Sequence, residues 1–165
     1  MSLNIIVLAK QVPDTRNVGK DAMKADGTIN RAALPAIFNP EDLNALEQAL
    51  RLKEQHPGST IGMLTMGPPR AGEIIRQGLY RGADTGWLLT DRLFAGADTL
   101  ATSYALATAI KKISAEKPVD IVIGGPPCQG FSNANRQHTT VISMNNRLVK
   151  EYVRAICELN PKAFV

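Results

Sequence analysis

At 165 residues, with 44% hydrophobic and 21% charged residues, the chain has the size and composition of one soluble globular domain. No apolar run approaches the roughly 18 residues that cross a bilayer, so we expect no membrane segment. The net charge of +4 is too dilute for a dedicated nucleic-acid binder. The two cysteines, Cys128 and Cys157, have no metal-ligand spacing and are too few for a disulfide framework. We therefore expect a cytoplasmic protein with no metal site.

Strands and helices alternate along the first part of the chain. Residues 4–9 are apolar on both faces, which predicts a fully buried strand. The stretch 11–38 is too long for a simple connection, so it is expected to cover a site or hold a small extra strand. Asn39-Pro40-Glu41-Asp42 predicts a helix start, with Asn39 as cap and two acids at the positive end of the dipole. The apolar face of that helix comprises Leu43, Ala45, Leu46, Ala49, Leu50 and Leu52.

The second half continues the alternation. Residues 60–66 and 86–90 predict two strands around a short helix, and Asp98 or Thr99 opens the next helix. Residues 119–123 predict a fourth strand, residues 124–145 a loop, and residues 163–165 a fifth strand. The apolar residues that define the three helices are Ile74, Ile75 and Leu79, then Leu100, Ala107 and Ile110, then Leu148, Val149, Tyr152, Val153 and Ile156. Of these, Leu100, Ala107 and Ile110 are expected on the buried side of their helix.

This alternation predicts a single α/β domain over residues 1–165. We expect a doubly wound, Rossmann-like parallel sheet of five strands in the order 3-2-1-4-5, with helices on both faces. Ligands of such sheets bind beyond the carboxyl ends of the strands, where the strand order reverses. That point lies between the first and fourth strands, so residues 9–11 and 124–132 are predicted to meet there.

Six segments in residues 1–124 form a recognisable series. They are AKQVPDT (9–15), GTINR (27–31), FNPEDLNALE (38–47), MGPP (66–69), GAD (82–84) and FAGADTLAT (94–102). In this order they resemble the β subunit of electron transfer flavoproteins. The resemblance implies a domain that binds AMP or FAD and pairs with an α subunit. It does not extend to the later part of the β subunit, including the arm that embraces the α subunit.

The resemblance assigns the nucleotide contacts to Ala9, Asn39, Pro40, Glu41, Asp42 and Met66. A helix that opens at Asn39-Pro40 offers N–H groups and a positive dipole end to a phosphate. The same dipeptide is also a good helix start without any ligand, so both interpretations stay open. No glycine-rich phosphate loop supports the nucleotide independently.

A different motif follows the predicted fourth strand. Residues 120–132 read DIVIGGPPCQGFS, and related segments follow at 132–137, 146–152 and 162–165. They resemble the catalytic segment of cytosine-5 DNA methyltransferases, over about residues 119–165. The resemblance implies that Cys128 attacks cytosine as a thiolate after the base is flipped out, with Gln129 and Ser132 close to the nucleotide backbone. Cys157 is expected in the core.

Three hypotheses remain. The first is a hybrid domain, joined within residues 119–125, that retains at most residual AMP or FAD binding and performs no turnover. The second is a fragment of a cytosine-5 DNA methyltransferase that acts on DNA with S-adenosylmethionine and a complementing chain. The glycine-rich donor turn and the activating glutamate segment of that family are not found, so the chain alone is not expected to be an enzyme. The third is a structural chimera without a ligand.

Overall fold

The computed structural model describes residues 1–14 and 35–124, together with three short stretches, 153–154, 157–158 and 163–164. The elements in chain order are β1 (Asn4–Leu8), β2 (Gln11–Pro13), β3 (Ala36–Phe38), α1 (Pro40–Gln55), β4 (Thr60–Met66), α2 (Gly72–Tyr80), β5 (Thr85–Leu89), α3 (Thr99–Glu116), β6 (Ile121–Ile123) and β7 (Ala163–Phe164). Residues 153–154 and 157–158 are helical. The loop expected at 124–145 and most of the helix expected before residue 157 lie outside the described residues.

The central sheet is parallel. β1 pairs with β4 on one side and with β6 on the other, and β5 pairs with β4. The predicted α/β class, with a parallel sheet and packed helices, is thereby confirmed. Four strands of three to seven residues form the sheet, and the two residues of β7 pair with Ile121 and Val122. The complete five-stranded, doubly wound sheet stays a prediction.

Helices cover both faces of this sheet, because side chains alternate along each strand. Ile5 and Val7 point into a buried cluster that includes Leu46 of α1 and Ile74 of α2. Ile6 points to the other face, where it packs in a cluster with Ile110 of α3. The apolar face predicted for α1 is confirmed: Leu46 and Ala49 are buried, and Leu43, Ala45, Leu50 and Leu52 pack against the same cluster.

The long stretch after β1 does contain a small extra strand pair. β2 and β3 run antiparallel, with Gln11 opposite Phe38 and Pro13 opposite Ala36. Asp98 is the residue that caps α3, since its carboxylate accepts a 2.8 Å hydrogen bond from the N–H of Ala101. The fourth strand of the prediction starts two residues late, at Ile121. Asp120 precedes it and accepts a hydrogen bond from the N–H of Asn4.

Four of the predicted apolar or core residues are exposed. Leu79 of α2 is 39% exposed. Leu100 is 53% exposed, because α3 packs through Leu106, Ala109, Ile110 and Ile113. At about 100° per residue, Leu100 lies more than a quarter turn from Leu106, Ala109 and Ile113. Val153 is 52% exposed, and Cys157 is exposed and not in the core.

Candidate functional site

The end of β1 is fastened to the start of α1 by backbone hydrogen bonds. The N–H of Lys10 donates to Asp42 Oδ2 at 2.8 Å, and the N–H of Asn39 donates to the carbonyl of Lys10 at 3.1 Å. On the other side, the N–H of Ala9 donates to the carbonyl of Leu64 in β4 at 3.1 Å. Ala9 is buried. Three of the sequence-predicted residues, Ala9, Asn39 and Asp42, are therefore held in one rigid group at the carboxyl edge of the sheet.

Asn39 occupies the cap position of α1 without using its side chain as a cap. It is only 8% exposed, and its Nδ2 has no hydrogen-bond partner of good geometry, although it lies close enough to the Asp42 carboxylate to lower the pKa of that group. An unsatisfied buried amide costs free energy, so such a group in a folded protein calls for an explanation. Nδ2 is a donor, and it would suit an acceptor atom of a ligand.

The start of α1 offers fewer free N–H groups than the sequence predicts. Pro40 has no N–H, and the N–H groups of Asp42 and Leu43 both donate to the carbonyl of Asn39, at 3.0 and 3.2 Å. Fewer N–H groups therefore remain for a phosphate at this position, and the predicted contact there stays a prediction.

The charges at the start of α1 also disfavour a phosphate there. Burial raises the pKa of Asp42, and the neighbouring Glu41 raises it further. The N–H of Lys10 and the nearby Asn39 side chain lower the same pKa and offset part of this effect. Two carboxylates already occupy the positive end of the helix dipole. The helix start would therefore repel a phosphate and favour a neutral donor such as a hydroxyl group.

The end of β4 lies next to these residues at the carboxyl edge of the sheet. Met66 is partly buried and Thr65 is only 1% exposed, with no hydrogen-bond partner for Oγ1. Side chains alternate along β4. Thr65 therefore lies on the face of the sheet that packs against α1, and Met66 lies on the opposite face with Leu64. Sequence reasoning selected Met66 and missed Thr65. The available signal was a single hydroxyl inside the apolar run of residues 61–66.

Two exposed cations stand at the rim of this edge. Lys10 follows Ala9 directly, and Arg70 lies in the turn before α2. The side chain of Gln11 donates to the carbonyl of Arg70 at 3.3 Å, which ties β2 to that turn. The rim is therefore positive, whereas the α1 start is negative.

The chain leaves β6 beside the end of β1. A Cβ atom built on Gly124 would come within 2.9 Å of Leu8 Cβ, so only glycine allows this close approach. Residues 9–11 and the first residue of the stretch 124–132 thus lie at the same edge, as predicted. Cys128, Gln129 and Ser132 lie outside the described residues.

Among the residues that the structure describes, no group of three or more His, Cys, Asp or Glu side chains is placed to hold a metal ion. What the edge does provide is a buried amide donor, a carboxylate and a positive rim, all around Ala9. This combination suits binding of a polar ligand with a charged end.

Comparison with known proteins shows which family this chain belongs to. Residues 26–130 match the family model described as the electron transfer flavoprotein domain. The chain belongs to the electron transfer flavoprotein domain family. A second family model, C-5 cytosine-specific DNA methylase, matches residues 104–165.

The curated relatives agree with the first match. The Caffeyl-CoA reductase-Etf complex subunit CarD of Acetobacterium woodii is 50% identical over 123 residues, which is 74% of this chain and 45% of the relative. The electron transfer flavoprotein subunit beta of Megasphaera elsdenii is 50% identical over 126 residues, or 74% and 46% of the two chains. Protein FixA of Azorhizobium caulinodans is 52% identical over 111 residues, or 67% and 38%. The chain spans about half the length of the curated relatives it matches.

Among the helices that the structure describes, none combines the length and apolar character that a bilayer crossing requires.

Proposed function

We propose that this chain binds an adenine nucleotide, AMP or FAD, at the edge lined by Ala9, Asn39 to Asp42, and Met66. The affinity is weak, and the chain performs no turnover by itself. The observation that carries the proposal is the buried Nδ2 of Asn39, which has no hydrogen-bond partner of good geometry and lies beside Ala9 in a domain of the electron transfer flavoprotein family.

The residues present fit the adenosine part of such a ligand. An adenine ring presents nitrogen acceptors that Asn39 Nδ2 can satisfy, and ribose presents hydroxyl donors that the Asp42 carboxylate can accept. A bound FAD would supply electron-transfer chemistry through its flavin, whereas AMP would supply none. The part of the protein is to hold and orient the nucleotide.

The phosphate end of the ligand belongs at the positive rim. Glu41 and Asp42 repel it from the α1 start, whereas the exposed cations Lys10 and Arg70 attract it. Because both cations are exposed and screened by salt, they contribute little affinity. This is the physical reason for expecting weak binding.

Thermal unfolding in the presence of AMP or FAD tests the proposal. A ligand that binds the folded state raises the melting temperature, and above Kd the rise grows with the logarithm of the ligand concentration. Asn39→Ala and Met66→Ala should reduce the shift, whereas Asn44→Ala, an exposed position on the same helix, should not. Equal shifts in all four proteins would place the nucleotide elsewhere.

Three further features complete the proposal. The sheet is the five-stranded, doubly wound one, with β7 as its fifth strand. The working partner is an α-type electron transfer flavoprotein subunit, because the relatives are named as subunits of flavoproteins or of an Etf complex. The compartment is the cytoplasm. Co-expression with such a subunit and recovery of a complex would test the partner.

The second family match favours one further candidate function. The two matches overlap over residues 104–130, across α3 and β6. We propose that the chain is a hybrid whose residues 119–165 derive from a cytosine-5 DNA methyltransferase, with Cys128 in the position of the nucleophile. Under this alternative DNA and S-adenosylmethionine would be the ligands, with Gln129 and Ser132 near the DNA backbone. A rise in melting temperature with S-adenosylmethionine and not with AMP would favour this function.

A further inference from the structure

Two buried side-chain polar atoms of the described residues lack a hydrogen-bond partner of good geometry. They are Asn39 Nδ2 and Thr65 Oγ1, and both lie at the carboxyl edge of the sheet. At the amino edge, by contrast, Thr60 Oγ1 donates to Asn4 Oδ1 and accepts from Lys117 Nζ, each at 2.9 Å. Buried polar groups without partners are rare and costly. Two of them at one edge indicate that a ligand supplies the missing partners.

Thr65 and Ala9 are neighbours at the end of the sheet. Leu8 of β1 is the register partner of Leu64 of β4, and the next residues along these two parallel strands are Ala9 and Thr65. Ala9 belongs to the buried cluster on the face of the sheet that α1 covers. Thr65 lies two residues beyond Met63, which belongs to the same cluster, so its side chain lies on that face as well.

Asn39 lies on the other side of Ala9. Successive residues of a strand direct their N–H and C=O groups alternately toward its two neighbours. The N–H of Ala9 bonds to β4, and those groups of Lys10, which point away from β4, bond to Asp42 and Asn39. The start of α1 therefore lies on the side of β1 where β6 pairs. Thr65 and Asn39 flank Ala9 from opposite sides.

This spacing suits one ligand group that contacts both side chains. Neighbouring strands lie about 4.8 Å apart, so Thr65 is one strand spacing from Ala9 and Asn39 lies at a similar remove on the other side. An adenine ring carries hydrogen-bonding nitrogens on more than one edge. A base placed at Ala9 can therefore pair with Asn39 on one edge and with Thr65 on another.

We propose that Thr65 is a further ligand-binding residue of this site, whose hydroxyl pairs with the edge of the adenine base that faces away from Asn39. This assignment rests on the adenine-nucleotide binding proposed above. A hydroxyl can donate to a ring nitrogen or accept from the exocyclic amino group. Because Thr65 is only 1% exposed, the edge above it must open for the base to reach the hydroxyl.

The hydroxyl of Thr65 carries a cost in the ligand-free domain. A buried hydroxyl without a partner destabilises the fold, and valine has nearly the same shape without the hydroxyl. Thr65 therefore lowers the stability of the ligand-free domain and raises its affinity for the base. A residue kept for packing alone would show the first effect without the second.

Calorimetric titration of the full chain with AMP and with adenosine tests the proposal. Thr65→Val should weaken both ligands by the same factor, about fivefold, as expected for one lost hydrogen bond. Thr65→Ser keeps the hydroxyl and should retain the wild-type affinity. The matched control is Thr108→Val, an exposed position on α3 across the sheet, which should also bind as wild type does.

The melting temperature of the ligand-free variants gives a second measurement. Thr65→Val should melt at the same temperature as wild type or higher, because it removes the unpaired hydroxyl. A lower melting temperature would show that the hydroxyl is paired within the fold and would overturn the proposal.

The titrations also separate this assignment from the nucleotide binding on which it rests. Wild-type affinity in Thr65→Val, with Asn39→Ala still weakened, would overturn the role of Thr65 alone. Equal losses in Thr65→Val and Thr65→Ser would overturn it too, because the two variants differ in the hydroxyl. A loss for AMP much larger than that for adenosine would place Thr65 against the phosphate and contradict the assignment to the base. Absence of saturable binding to wild type would refute both proposals.

Discussion

The N–H of Lys10 and the carboxylate of Asp42 are joined by a 2.8 Å hydrogen bond that fastens the end of the first strand to the first turn of the first helix. This bond fixes the backbone of Ala9 and brings a partly buried negative charge to the edge where a ligand would bind. It also leaves the acidic start of α1 unsuited to a phosphate.

The first prediction concerns the orientation of the nucleotide. Asp42→Asn removes the charge and keeps an acceptor for the N–H of Lys10. If Asp42 faces the ribose, the variant should change the affinities for adenosine and for AMP by the same factor. Calorimetric titration of both ligands measures this. An affinity for AMP that rises much more than that for adenosine would show that the phosphate lies against α1.

The second prediction concerns the same carboxylate and pH. Because the pKa of Asp42 is raised in the folded state, its charged form destabilises the fold above that pKa. The penalty is relieved as the pH falls toward the ordinary aspartate value. Asp42→Asn should therefore raise the melting temperature at pH 7, with a gain that disappears in acid. A gain that persists below pH 4 would contradict this (the ordinary pKa of aspartate is about 3.9).

The third prediction concerns Asp84, whose pKa is shifted in the opposite direction from that of Asp42. Burial alone would raise its pKa, but the Lys53 side chain at 2.6 Å and the N–H of Ile61 at 2.7 Å outweigh this and lower the pKa. The carboxylate thus stabilises the fold above its ordinary pKa and loses this contribution as pH falls through the lowered value. Asp84→Asn should cost about 1 kcal/mol of unfolding free energy at neutral pH.

Urea unfolding at two pH values measures this effect. The matched control is Glu47→Gln, which breaks the exposed pair with Arg51 and should cost less than about 0.5 kcal/mol. A loss in Asp84→Asn that is as large at pH 3 as at pH 7 would refute the assignment.

The fourth prediction concerns packing between β4 and β5. A Cβ atom on Gly62 would lie 2.2 Å from the ring of Trp87, whereas one on Gly72 would find only Leu88, at 3.9 Å. Gly62→Ala should therefore destabilise the protein by about 1–3 kcal/mol, and Gly72→Ala in α2 should be neutral or slightly stabilising. Denaturant midpoints of the two variants compare them directly. A harmless Gly62→Ala would mean that Trp87 is free to move.

The sequence predicted those elements whose apolar pattern is strong. Residues 60–66 and the face of α1 follow directly from strand and helix periodicity. Burial on α3 was less predictable, because Leu100 and Ile110 are both apolar and only tertiary packing decides which side of the helix meets the sheet. The predictions for Val153 and Cys157 were wrong for the same reason.

The candidate site was predictable only in part. Asn39 and Asp42 were found through resemblance, but the backbone pairing within the first turn of α1 was not predicted, because it depends on local geometry. The hydrogen bond from Lys10 to Asp42 joins residues far apart in sequence, so no local sequence pattern predicts it.

The fifth prediction concerns the second family. The purified chain should transfer no methyl group from S-adenosylmethionine to DNA, because a nucleophile without its donor site and activating acid retains little catalysis. A radiolabel assay measures this. Transfer that Cys128→Ser abolishes would contradict it. Since Cys157 is exposed, alkylation at that cysteine is expected and says nothing about Cys128.

The most direct test of nucleotide binding is a titration of the wild-type chain with AMP, with Asn39→Ala and Asn44→Ala as a matched pair. We predict saturable binding of wild type and Asn44→Ala, with an affinity reduced severalfold in Asn39→Ala, because the Asn39 amide is buried without a hydrogen-bond partner of good geometry, whereas Asn44 is exposed. Absence of any saturable AMP or FAD binding to wild type, or identical affinities in both variants, would contradict the account.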